Sequence, residues 1–108
     1  CSPDYGGLEV VADGRIRAGT TVERQPFVIP VGHVARIYAR PRSSTADTFE
    51  NPESLDLRSD DPAILRILGD EEPWRFNLVG RSFGTTCVEV IVEGRQEECI
   101  EVQVTAAP

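Results

Sequence analysis

The sequence predicts an all-β fold, a Greek-key sandwich of about seven short strands. Three observations carry that reading. Several segments alternate apolar and polar residues, turn residues separate them at short intervals, and no stretch beyond about eight residues keeps a helical period. With 108 residues the chain has room for one core, and two would each be marginal. No apolar run approaches the roughly 18 residues of a membrane-spanning helix.

Residues 1–7 are rich in turn formers and lack periodicity, so they read as a tether, with residues 8–108 forming a single domain. Leu8 to Ala12, Asp13-Gly14 and Arg15 to Ala18 read as a hairpin, because Asp-Gly suits a tight turn with positive φ. Residues 8–24 are thereby expected to add an N-terminal extension to the sandwich. Gln25 to Pro30 is the next strand, closed by Pro30-Val31-Gly32-His33. From Val34 to Arg40 the alternation turns Ala35, Ile37 and Ala39 inward and Arg36, Tyr38 and Arg40 outward. Pro41 to Ser54, with Ser43-Ser44-Thr45 and Asn51-Pro52, is a loop of unusual length and a candidate contact surface. Leu55 and Leu57 open a strand, Ala63 to Ile67 follows the Pro62 break, Asp70 to Pro73 is an acidic turn, and Trp74 to Val79 is a further strand.

A final hairpin spans Thr85 to Val104. Thr86, Val88, Val90 and Val92 share one face, as do Ile100, Val102 and Val104. A loop of Val92, Glu93 and Gly94, with Gly94 in the left-handed conformation, sets Ile91 opposite Arg95 and Cys87 directly opposite Cys99. A register with Val92 facing Gln96 keeps the same faces but puts the cysteines on a diagonal, which suits a disulfide less well. Such a bridge contributes about 3 kcal/mol in the chain-entropy model. Two thiols, a distant His33 and no paired C-x-x-C spacing argue against a metal, and redox-active pairs sit close together at a helix start. No cofactor is expected.

Charge narrows the partners. A formal charge of -7 repels phosphate backbones and anionic headgroups, so neither nucleic acid nor electrostatic membrane docking is expected. Catalytic signals are thin. His33 is the one His and follows a Gly at a strand start. Ser82 lies in Gly80-Arg81-Ser82-Phe83-Gly84, which matches G-x-S-x-G, yet that elbow joins a strand to a helix in a larger α/β sheet. Asp60-Asp61 and Asp70-Glu71-Glu72 flank Pro in turns and read as solvated turn charge rather than a calcium or glycosidase site. The outward set Glu89, Glu97 and Glu101 with Arg95 reads as a polar sheet face that discourages edge pairing. These features predict a protein that is no enzyme and takes no small-molecule substrate. Trp74 and Phe76 suit the core, but an exposed Trp74 beside Arg75, with Tyr38 projecting outward, would form a candidate partner contact.

Three stretches, in order, carry a resemblance. PVGHVARIYARP, LDLRSDDPAILRI and WRFNLVGRSFGTTCVEVIVEG resemble the alternating second strand, the central Asp-Pro segment and the closing Gly-Thr strand of bacterial immunoglobulin-like domains of group 2. Leu57 stands where many members carry a core Trp. The resemblance covers the chain from about Pro30 onward and implies an immunoglobulin-like Greek-key β-sandwich that serves as a spacer, adhesion module or subunit contact. The first 24 residues and a Cys87 to Cys99 bridge are additions that the family does not require.

Cys1-Ser2 resembles the mature end of a bacterial lipoprotein, which implies a cleaved signal peptide and acyl chains on Cys1 that anchor the protein to a membrane. Ser2, where Asp would retain a lipoprotein at the inner membrane, implies export to the outer membrane or cell surface. With Cys1 lipidated, Cys87 and Cys99 remain to pair in an oxidising compartment. The expected function is therefore that of a non-catalytic cell-envelope lipoprotein, a binding or scaffolding subunit of an outer-membrane or extracellular protein assembly. The alternative, a surface adhesion or carbohydrate-binding module, requires a patch of exposed aromatics.

Overall fold

Alternation does build two sheets. The computed structural model describes residues 5–14, 19–45 and 49–106. Its strands are β1 (Tyr5–Ala12), β2 (Phe27–Pro30), β3 (Val34–Ser43), β4 (Leu55–Ser59), β5 (Leu65–Gly69), β6 (Arg75–Gly80), β7 (Gly84–Val92) and β8 (Arg95–Thr105). One sheet has the order β1-β3-β6-β5 and the other β2-β8-β7-β4. This is the strand order of an immunoglobulin-like Greek key, with β1, β3, β6 and β5 in one layer and β4, β7 and β8 in the other. There are eight strands because the first is split: β1 pairs antiparallel to β3, and β2 crosses over to run parallel to β8.

That split corrects two boundaries. Strand β1 begins at Tyr5, inside the segment expected to be a tether. It is also part of the sandwich itself, since Leu8 to Ala12 pair in continuous register with Pro41 to Ile37. Leu8, Val10 and Ala12 pack against the core, burial that a projecting hairpin would forgo. Arg15 to Ala18, the expected return arm, lie outside the described residues. Further on, Val22 is buried in the core and Thr21 bridges Val28, so residues 20–22 close the edge beside β2.

The core is the product of period-two patterning. Ala35, Ile37 and Ala39 from β3 are buried, and so are Leu78 from β6 and Leu65 from β5. Facing them are Ile29, Leu55, Leu57 and the alternating valines of β7 and β8. Leu57 thus occupies the core. Gly80 is required by close approach: a Cβ there would stand 2.7 Å from the Pro30 carbonyl oxygen and 3.2 Å from Val104.

Strand β3 runs past its expected end to Ser43, through a buried Pro41. The amide of Ala39 donates to the Trp74 carbonyl on the β6 side, and Pro41, two residues on, has its missing N–H on that same side, beyond the last β6 partner. Phe49, from the long loop, is buried in the core, so at least part of that loop is anchored rather than free. Strand β5 starts later than expected, because the amides of Ile64 and Leu65 both turn back to the Asp61 carbonyl.

The final hairpin differs in register from the favoured expectation. Val92 faces Arg95 across a turn of Glu93 and Gly94, both at positive φ (52° and 81°). Such a turn matches the right-handed strand twist better than the expected loop. A bulge then shifts the pairing, since Ile91 faces Gln96 while Val90 faces Glu98. Beyond it Glu89 faces Cys99 and Cys87 faces Glu101, so the cysteines sit on the diagonal. They are nonetheless bonded, with Cα atoms 5.5 Å apart.

Candidate functional site

Among the described residues the reactive side chains are dispersed over separate turns. His33 sits in the turn before β3, its amide donating to the Pro30 carbonyl and its own carbonyl accepting from Gly80. The Ser82 hydroxyl donates to the Ala63 carbonyl at 2.6 Å, so its proton goes to the backbone and not to a base. Asp61 accepts the Ala63 amide, and Asp70 accepts the amide of Glu72. These are turn-building roles. The Glu72 amide first, and the Arg36 guanidinium beside it, hold the Asp70 carboxyl below its ordinary pKa. Among the described residues no group of three or more His, Cys, Asp or Glu side chains is arranged to hold a metal ion.

What the fold does build is a pair of outer sheet faces. On the outside of the β1-β3-β6-β5 sheet, Tyr38 stands between Val11 and Arg75, directly opposite each in register. The row beside it is Arg36, Asn77 and Leu68, and the next is Val34, Val79 and Arg66. Tyr38 and Arg75 are therefore neighbours, as a contact patch needs. Trp74 precedes Arg75 at the turn but is half-buried and packed against the core, with the Arg40 guanidinium 5.3 Å from its ring centre. Trp74 and Phe76 thus pack against the core, as their apolar character suggested, and Trp74 lacks the exposure that a partner contact through it requires. Its backbone sits at φ 67°, a conformation costly for a bulky side chain, held by the Ala39 hydrogen bond to its carbonyl.

Charge divides between the faces. Strands of the first sheet carry Arg36, Arg40, Arg42, Arg66 and Arg75 against the single acid Glu9. Asp70 pairs with Arg36 at 3.5 Å, Glu9 with Arg42 at 3.7 Å and Asp13 with Arg75 at 3.3 Å. The charges on these strands are thus mostly Arg, with the acids Asp13, Asp70, Glu71 and Glu72 at the turns along their rim. Strands of the second sheet carry Asp56, Glu89, Glu97, Glu98 and Glu101 against Arg58 and Arg95. Strand β2 pairs only with Val102 to Thr105, so Glu97 and Glu101 lie on the stretch of β8 that has no strand beyond it, whereas Glu89 is on the inner strand β7. Glu89 and Glu101 stand on the solvent side around the exposed Cys99.

No protein-family model matches the sequence, and no curated protein matches it. Solved structures do share its fold. Domains 4 and 5 of the S-layer protein SbsC superpose with a TM-score of 0.62 at 15% identity, over 97% of this chain and 54% of that one. The SbsC fragment rSbsC(31-844) gives a TM-score of 0.66 at 13% identity, over 99% of this chain and 14% of that one. This chain thus spans about half of the first and a small part of the second. At such identity the likeness is one of architecture.

Sequence reasoning named Tyr38, Arg75 and Trp74 and turned Arg36 and Arg40 outward with Tyr38, but missed Arg42 and Arg66 and did not join the Arg side chains into one surface. The signal for three of them was present, since VARIYARPR puts Arg36, Arg40 and Arg42 on the Tyr38 face. Joining Arg66 to them requires the strand order. Cys1 lies outside the described residues. Exposed large hydrophobic side chains among the described residues include one aromatic, Phe83, which is less than a flat sugar-binding platform requires.

Proposed function

We propose that this protein is a non-catalytic, exported module of the bacterial cell envelope, of the group 2 bacterial immunoglobulin-like type. It is anchored through lipid on Cys1 and serves as a binding or scaffolding subunit of an outer-membrane or extracellular protein assembly. The observation that carries the reading is the Cys87–Cys99 disulfide on the outer face of the last hairpin. A bridge with an exposed cysteine is sustained in an oxidising compartment and reduced in the cytosol. Sharing its architecture with domains of an S-layer protein supports a surface role, and the sheet face around Tyr38 and Arg75 suits contact with another protein.

Intact mass spectrometry of the native protein tests the reading. Acyl chains on Cys1, together with the loss of the two thiol hydrogens at Cys87 and Cys99, are the expected result. An unmodified chain with free thiols overturns it. Capture from detergent extract should then retain a partner with the wild type and lose it with Tyr38→Ala/Arg75→Glu.

A further inference from the structure

The outer face of the β1-β3-β6-β5 sheet holds more than charge. Val11, Val34 and Leu68 are 43%, 53% and 41% exposed, and all three project from this one face. They stand in the same rows as Tyr38, Arg36 and Arg66. Apolar side chains, an aromatic and several Arg on one sheet face make the composition of a protein contact, since Arg and Tyr anchor interfaces.

We infer that this face docks the opposite face of a second copy of the chain. The reason is complementarity within one molecule. The outer face of the β2-β8-β7-β4 sheet carries Asp56, Glu89, Glu97 and Glu101 around the disulfide against Arg58, which pairs with Asp56 and stands opposite Glu89, with Ile91 and Val28 half-exposed beside them. Strands whose outward charges are mostly Arg and strands whose outward charges are mostly carboxylate lie on opposite sides of the same sandwich. Two copies stacked front to back leave one free face of each kind, so the contact is heterologous and open-ended: a third copy adds as the second did. Individual exposed ion pairs are weak, so association depends on many such pairs acting with the apolar contacts and rises with concentration. The inference is independent of the anchor on Cys1.

Salt gives it a signature. At about 0.1 M the screening length is roughly 10 Å, enough to damp the mutual repulsion of two negative molecules while contact pairs survive; at about 1 M it is roughly 3 Å, and the pairs weaken too. Stacking is therefore strongest at intermediate ionic strength.

Sedimentation equilibrium of the full chain is the test, with two surface variants. Arg36→Glu/Arg66→Glu reverses charges on the Arg-bearing face and Glu89→Arg/Glu101→Arg on the carboxylate-bearing one. The wild type is expected to show a weight-average mass that climbs with concentration and falls again at about 1 M salt. Each variant alone should associate at least about tenfold more weakly, and their equimolar mixture should recover, because each supplies the face the other lacks. Val11→Glu, at an exposed position on the edge strand, provides a second route to the same loss. A wild type that stays monomeric up to about 1 mM, or a mixture no more associated than its components, overturns the inference. A mass that rises without any fall at high salt overturns its electrostatic basis.

Discussion

Gly80 shows how a single residue joins the two layers. Any side chain there meets the Pro30 carbonyl, a backbone atom that cannot swing aside, and Val104 behind it. Gly80→Ala is expected to destabilise the fold by about 2 to 3 kcal/mol, read from chemical denaturation; an unchanged midpoint would mean that the layers can part freely. Tyr5 acts at the other end. Its hydroxyl is buried without a hydrogen bond of good geometry and faces the Glu98 carboxylate. Burial first, then the negative charge of Glu98, pushes the phenol above its ordinary pKa. Ionisation is thus harder in the folded protein. The stability tied to this group is whole below the unfolded-state value of about 10 and is lost as pH climbs from there through the folded value. Tyr5→Phe should flatten the fall in melting temperature above about pH 10; a variant that melts on the wild-type curve at alkaline pH would exclude the role.

At the level of elements, the last hairpin is where the expectation came closest and still missed a detail. The faces of β7 and β8 were legible because a period-two run has one apolar side whatever its register. Register itself depends on the turn, and Glu93 at positive φ and the extra residue after Gln96 have no marker in the sequence. Hence the cysteines were expected face to face and are found on the diagonal, in pairs two steps apart along the ladder, close enough to bond. Removing the bridge by Cys87→Ala/Cys99→Ala should cost about 3 kcal/mol and leave the strand content intact by circular dichroism. A loss below about 1 kcal/mol would show that the unfolded hairpin is already constrained. The pairing of β2 with β8 was not legible at all. Parallel neighbours so far apart in the chain leave no local pattern. The Arg-bearing face was half-legible for the same reason: β3 displays its Arg row in the sequence, whereas β5 and β6 join it through topology.

Across the whole molecule, the two ends of the described chain point apart. Tyr5 faces Ser43 at the far end of β3, whereas Thr105 faces Pro30 just ahead of where β3 begins. Between them β2 and β8 run side by side in the same direction, paired from Phe27 and Val102 to Pro30 and Thr105. A pull on both ends drags β2 one way and β8 the other, along their length. Hydrogen bonds loaded in shear share the force and give way together, unlike those of a hairpin unzipped from its tip. Single-molecule extension between the two ends should therefore show one abrupt rupture, and a gradual low-force lengthening would contradict it. For a domain held at one side by a surface and at the other by a neighbour, the crossing of its first strand would serve as a mechanical latch.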